Sequence, residues 1–260
     1  MTRIRTCTNP APAHGGLNCT GNGRQFQTCS TSVRCTAIYT DCSEIKDHIY
    51  DAPDGVYTVT LWKTKRSINV FCDMTTNGGG WTVFQNRFDG HVDFFRNFTE
   101  YEKGFGDLDS EFWLGLHYIQ EMVSSNFNNQ LRIDLTAFND TTAFEIFDDF
   151  SLSSGPNYTL HVGNTLSSHN IDLSSVYRFA PFHNGMAFST FDHDMDTRGG
   201  SCASLGHGAW WYKDCYNANL NGQYLTPGSH DSKGINYFSF ISFSSSSMKQ
   251  TKISFRRSRR

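Results

Sequence analysis

The 260-residue sequence contains no run of about 18 apolar residues, the minimum for a membrane-spanning helix, so nothing in it crosses a bilayer as a helix. It also lacks a strong excess of either charge. A formal net charge of -3, with no basic stripe along the body, excludes a general nucleic-acid binder. No two cysteines stand in a C-x2-C pair, so the usual zinc-site pattern is missing. A G-x-S-x-G nucleophile motif is absent, and the histidines are scattered without a nucleophile partner, which argues against a hydrolytic enzyme. No internal repeat is evident. Met1-Thr2-Arg3-Ile4-Arg5 lacks the apolar segment of a signal peptide, and the expectation is that the natural N-terminus lies further upstream.

What is present is bulky and covalent. Phe (22), Tyr (11) and Trp (5) supply core volume despite a hydrophobic fraction of only 38%. Eight cysteines stand at 7, 19, 29, 35, 42, 72, 202 and 215, an even and widely spaced set that favours disulfides and an oxidising compartment. Four N-glycosylation sequons begin at Asn18, Asn97, Asn139 and Asn157. Together these predict a secreted, extracellular glycoprotein. The one basic cluster, Arg256-Arg257-Ser258-Arg259-Arg260, reads as a solvated tail.

Composition divides the chain. Residues 1–35 hold four cysteines and almost no large apolar side chains, so they cannot bury a core without staples. Residues 36–40 form a linker, and from Asp41 the sequence turns aromatic and globular. Ser43 is the expected N-cap of a short helix running to Ile49. After the Pro53-Asp54-Gly55 turn, residues 56–62, 68–72 and 81–85 read as strands, as do 130–136 and 142–150, with a helix expected from about 110 to 124. The last 60 residues, rich in Gly, Ser, Asn and aromatics, predict ordered loops held by something other than a sheet.

One local motif carries chemistry. Asp192, Asp194 and Asp196 alternate within five residues, followed by Gly199-Gly200. Three such carboxylates repel one another unless they are solvated or share a cation, and hard Ca2+ takes six to eight oxygen donors. An EF-hand does not fit, because its sixth position is Thr197 and its twelfth is Ala203. The residue types alone leave a calcium loop and an acidic surface loop both open. Cys202 and Cys215 bracket the next segment, where a staple can hold a cation loop poor in regular structure.

Two resemblances add to this reading. The run Arg3 to Pro10, followed by Gly15 to Gly21 and Cys29, is similar to the second half of a thrombospondin type-1 repeat. That resemblance pairs Cys7 with Cys19 and leaves Cys29 and Cys35 to each other by default. The stretches Val70-Phe71-Cys72-Asp73-Met74, Gly78-Gly79-Gly80-Trp81, Glu111-Phe112-Trp113-Leu114-Gly115-Leu116, Gly208-Ala209-Trp210-Trp211-Tyr212 and Asn219 to Tyr224 resemble, in order, the fibrinogen C-terminal domain family over about residues 41–257. This resemblance implies an α+β fold around a twisted antiparallel sheet, short helices, a loop-rich C-terminal subdomain, and disulfides Cys42–Cys72 and Cys202–Cys215. It places one calcium on the side chains of Asp194 and Asp196 and the carbonyls of Arg198 and Gly200, with Asp192 as a neighbour. The implied ligand pocket lies beside it, at Trp211, Tyr212, Asp214, Cys215 and Tyr216, with a cis Asp214–Cys215 peptide aiming the Cys215 N–H at a ligand. Tyr216 stands where many members have His. The short His230–Gly234 stretch and the Ser244–Ser247 run depart from the acetyl-binding lectins of the ficolin and tachylectin type, toward tenascin-like matrix domains. The expectation is therefore a calcium-binding matrix or cell-surface recognition protein with an extracellular protein or glycan ligand, oligomeric at full length. The alternative is a soluble defence lectin for acetylated glycans.

Overall fold

The computed structural model describes the backbone of residues 2–4 and 24–26, together with residues 37–125, 127–240 and 246–258. Two compact units divide the chain, residues 1–38 and 39–260. In the first, β1 (Thr2–Ile4) pairs antiparallel with β2 (Arg24–Phe26). The expected Cys7–Cys19 pair, Cys29, Cys35 and the Asn18 sequon lie outside the described residues.

The second unit runs α1 (Cys42–His48), β3 (Gly55–Thr60), β4 (Ser67–Asp73), β5 (Trp81–Arg87), α2 (Phe98–Lys103), β6 (Phe105–Gly106), β7 (Phe112–Trp113) and α3 (Leu116–Val123). It continues through β8 (Asn129–Thr136), β9 (Thr142–Phe147), β10 (Ser151–Leu152), β11 (Leu160–His161), β12 (Thr165–His169), α4 (Phe179–His183), α5 (Cys202–Gly206), β13 (Ala218–Asn219), β14 (Asn236–Tyr237) and β15 (Gln250–Arg257). This is an α+β fold on one antiparallel sheet in the order β12-β9-β8-β15-β5-β4-β3. On the edge of β5 opposite β15 the sheet forks: Trp81 and Val83 pair with β4, whereas Gln85 and Asn86 pair with β7, which carries β6.

Alternation explains the core. Leu131, Ile133 and Leu135 of β8 are buried at every second position, as a half-buried strand requires. Leu116, Ile119, Met122 and Val123 recur at helical spacing on α3 and are buried too. The rings of Phe84, Phe150 and Phe255 meet at 6.0–6.3 Å, and the Cys42–Cys72 disulfide ties α1 to β4.

Four expectations are corrected. The cap of α1 is Asp41, whose carboxylate accepts from the Glu44 N–H at 2.9 Å; Ser43 lies inside the helix and its hydroxyl donates to the Gly80 carbonyl. The helix expected from 110 starts only at Leu116. Phe112 and Trp113 find strand partners on β5, and Gly115, at φ +112°, breaks the backbone just before the helix. Strand β15, near the end of the chain, is central in the sheet, so the last 60 residues are not all loop. For the same reason Arg256 and Arg257 are no free tail: Arg257 pairs with Asp41 at 2.6 Å, and the Arg256 guanidinium stacks 4.1 Å over Trp81.

Candidate functional site

Short bridges hold the acidic loop against the chain that follows it. Ser189 and Trp210 exchange backbone hydrogen bonds, as do Thr190 and His193, and the Thr197 N–H donates to the Lys213 carbonyl at 3.0 Å. Met195 N–H is held by the Ser189 hydroxyl. Within the loop, Asp194 accepts from the Asp196 N–H, and Asp196 accepts from the N–H groups of Arg198 (2.9 Å) and Cys202 (2.7 Å). Burial and the adjacent Asp194 carboxylate push the Asp196 carboxyl above its ordinary range, against those backbone donors. Two neighbouring carboxylates with that electrostatic strain, together with the carbonyls of Arg198 and Gly200 expected to join them, are all oxygen donors, the chemistry that suits a hard divalent cation. Asp192 has a different role. Its carboxylate accepts from the Phe98 N–H at 2.9 Å and from the Thr190 hydroxyl, bracing the start of α2.

The disulfide Cys202–Cys215 joins α5, capped by Ser201, to the segment after the loop, with Cα atoms 5.3 Å apart. The Asp214–Cys215 peptide is cis, and the exposed Asp214 carboxylate meets Arg198 at 3.3 Å. Beside the cystine opens a cavity of about 350 Å³ lined by Leu205, Gly206, Cys215, Tyr216, Ser232 and Phe238. Tyr216 donates its hydroxyl to the Ser232 carbonyl, and its ring lies 5.9 Å from that of Phe238.

Cys215 and Tyr216 thus reach this cavity, and Asp214 stands exposed next to it, but Trp211 and Tyr212 do not wall it. Both are buried. Trp211 packs against Trp113, Phe188 and Trp210 and donates to the Tyr158 carbonyl at 2.7 Å, while the Tyr212 hydroxyl donates to Asn219 at 2.6 Å. They belong to the core. Bulky rings with internal partners are better satisfied in the core than at a solvent-facing wall.

Sequence reasoning missed the other lining residues. Leu205 and Gly206 at the end of α5, Ser232 and Phe238 come together only when segments far apart in the chain meet, and no local pattern marks them. It also passed over His183, one scattered histidine among many. The His183 ring is fully buried; its Nδ1–H donates to the Trp211 carbonyl at 2.8 Å, and its Nε2 accepts the N–H groups of Asn217 (3.1 Å) and Ala218 (3.0 Å). One neutral imidazole therefore grips both ends of the segment that presents Cys215 and Tyr216. Burial pushes its pKa down from 6.5 to about 4, with the bond to Trp211 opposing.

Of the sequons, Asn139 and Asn157 are exposed. Asn97 is half-buried and caps α2, its side chain accepting from the Glu100 N–H in a capping box.

Comparison with known proteins agrees with this architecture. Residues 38–258 match the family described as fibrinogen beta and gamma chains, C-terminal globular domain. Microfibril-associated glycoprotein 4 of Bos taurus is 41% identical over 225 residues, covering 86% of this chain and 87% of that protein. Fibrinogen C domain-containing protein 1-A of Xenopus laevis is 44% identical over 185 residues, covering 69% of this chain and 38% of the relative. Among solved structures, the fibrinogen-like globe domain of human ANGPTL6 superposes with a TM-score of 0.77 at 30% identity, over 86% of this chain and 97% of the other. The lamprey fibrin D-dimer, complexed with the peptide Gly-His-Arg-Pro-amide, gives 0.74 at 29% identity, over 88% and 77%. The chain belongs to the fibrinogen C-terminal globular domain family.

Proposed function

We propose that this chain is a secreted, calcium-binding recognition protein of the extracellular matrix or cell surface, not a catalyst. The observation that carries the reading is the adjacency of the Asp194–Asp196 loop, the Cys202–Cys215 cystine and the cavity lined by Cys215 and Tyr216. Asp194 and Asp196, with the carbonyls of Arg198 and Gly200, would hold Ca2+. The ion would neutralise the paired carboxylates and stiffen the loop next to the ligand surface. Ligand recognition then falls to the cavity residues: Tyr216 and Phe238 offer aromatic faces, and the Cys215 backbone and Ser232 offer polar atoms.

An oxidising, extracellular setting is supported by the two disulfides and by similarity to a microfibril-associated glycoprotein. Exposed Asn139 and Asn157, the capping residue Asn97, and Asn18 are the proposed glycan acceptors. Residues 1–35 are read as a partial thrombospondin type-1 repeat, and the full-length protein as an oligomer, which would multiply weak single-site contacts.

The ligand is a protein or a glycan. The two-aromatic cavity favours a second reading, a lectin for acetylated glycans, because a small apolar group such as an acetyl methyl fits between such faces. Thermal unfolding in a calcium titration tests the metal, and a glycan array with and without EDTA tests the lectin. Asp194→Ala with Asp196→Ala should abolish the calcium-dependent rise in Tm; an undiminished rise rules out these ligands. An array silent for acetylated sugars in calcium removes the lectin reading and leaves the protein-ligand one.

A further inference from the structure

The fork in the sheet leaves a cleft far in sequence from the calcium loop. One side is the first half of β4, Ser67, Ile68 and Asn69, which has no partner on β5; the other is β6 and β7. The cleft encloses about 340 Å³, and a second cavity of about 230 Å³ shares Arg66, Lys103 and Tyr118 with it. Half-buried Phe105, Leu108 and Tyr118 give the groove an apolar floor, while its rim is basic.

The rim is built, not incidental. Glu121 of α3 is buried, and its carboxylate accepts the N–H groups of Lys63 (3.0 Å) and Thr64 (2.7 Å) and the Thr64 hydroxyl. The Trp62 indole N–H bonds the Glu121 carbonyl at 2.6 Å. These bonds pin the β3–β4 hairpin tip to α3, just before Arg66, the basic residue that lines the groove from this side. The Arg66 guanidinium stacks 5.4 Å over Tyr118, with the His117 ring 5.8 Å from Tyr118. From the other side, Gly115 lets the end of α2 lie directly against the start of α3. A Cβ there would sit 2.9 Å from Glu102, Lys103 and Gly104 backbone atoms, and the contact sets Lys103 on the same rim. The carboxylate on the lining, Glu102, accepts a hydrogen bond from the Tyr158 hydroxyl. Arg66 and Lys103 have no ion-pair partner among the described residues.

We propose that this groove is an acidic-glycan site, taking a sulfated sugar chain. Sugar rings lie along the apolar floor through their C–H faces, and sulfate groups pair with Arg66 and Lys103, where a guanidinium offers a planar two-donor fork. A peptide strand fits less well, because β6 offers an edge of only two residues and the half of β4 without a β5 partner only three. The site is independent of the calcium reading and shares no residue with it.

Binding of a heparin octasaccharide to the intact chain, followed by isothermal titration calorimetry at physiological salt, tests this. We expect Arg66→Ala with Lys103→Ala to weaken binding about tenfold or more, with unchanged Tm because both side chains are exposed. EDTA, and Asp194→Ala with Asp196→Ala, should leave the affinity alone. Desulfated heparin should fail to bind, and poly-glutamate should bind more weakly than heparin. Equal binding by the Arg66/Lys103 variant, or equal binding of desulfated heparin, overturns the proposal. Poly-glutamate binding as tightly as heparin overturns it in favour of an acidic peptide.

Discussion

Lowering the pH from 7 to 4 should destabilise this domain through one residue, His183. In the folded protein its imidazole is neutral: Nδ1–H donates to Trp211, and Nε2 accepts from Asn217 and Ala218. A proton added at Nε2 would face two N–H donors inside the core. Burial therefore pushes the folded pKa from 6.5 to about 4. Below pH 6.5 the unfolded chain binds a proton at this position and the folded one does not, so stability falls with pH and stops falling near 4. The limiting slope is about 1.4 kcal/mol per pH unit, and the loss across the window is about 3 kcal/mol. Other groups titrate in the same range, so the informative quantity is a difference. His183→Gln keeps a donor and an acceptor but cannot titrate. Urea unfolding of both proteins from pH 7 to 4 should show wild type the more stable at pH 7, with that advantage shrinking by about 3 kcal/mol at pH 4. A gap that stays constant across the window refutes the buried neutral imidazole, as would an NMR spectrum showing the proton on Nε2 at pH 7.

Other expectations follow from the same geometry. Saturating calcium at about a hundredfold excess over Kd should add about 2.7 kcal/mol, or roughly 5–10 °C in Tm; a chelator that leaves Tm unchanged contradicts the metal site. Replacing Cys202 and Cys215 by Ala should cost about 3 kcal/mol and blunt the calcium response, read in the same melting experiment. Arg257→Ala strands the buried Asp41 carboxylate and should cost about 3 kcal/mol, with Asp41→Asn added in the same chain recovering part; full stability of the single variant would show that the pair is idle. Glu121→Ala removes the acceptor for Lys63 and Thr64 and should cost about 2 kcal/mol, with faster amide exchange at those two residues.

The strands were legible because alternation and β-branching are local. Val56 to Thr60 and Leu131 to Leu135 declare a strand whatever lies beyond them. The start of α3 was not, because Phe112 and Trp113 take their conformation from β5, almost thirty residues earlier, and a sequence window holds no trace of that pairing. Arg256 and Arg257 misled for the same reason: a basic run at a chain end looks solvated until its partners, Asp41 and Trp81, are brought alongside by the sheet. At the site, the alternating aspartates were conspicuous, since like charges so close need an explanation. Trp211 and Tyr212 were conspicuous for their size, which says nothing about which way they face. His183 carries no local signature at all; its importance lies in three backbone atoms supplied by other segments.

The loop-rich C-terminal half holds together by substituting buried amides for a sheet ladder. Asn219 donates to the carbonyls of Gly206 and Gly234 and accepts from Tyr212; Asn221 donates to Ala209 and accepts from Gln85; Asn236 donates to Asp231 and Gly234. Fully buried Arg87 reaches from β5 to the Gly222 carbonyl at 2.5 Å, with its guanidinium 4.0 Å from the Phe94 ring. Each of these side chains satisfies backbone groups that irregular chain leaves unpaired, which would otherwise cost about 1–3 kcal/mol apiece. Such a network is rigid only when every member is in place. The amides and His183 thus hold the frame from within, and Cys215 and Tyr216 are presented at the cavity by that frame.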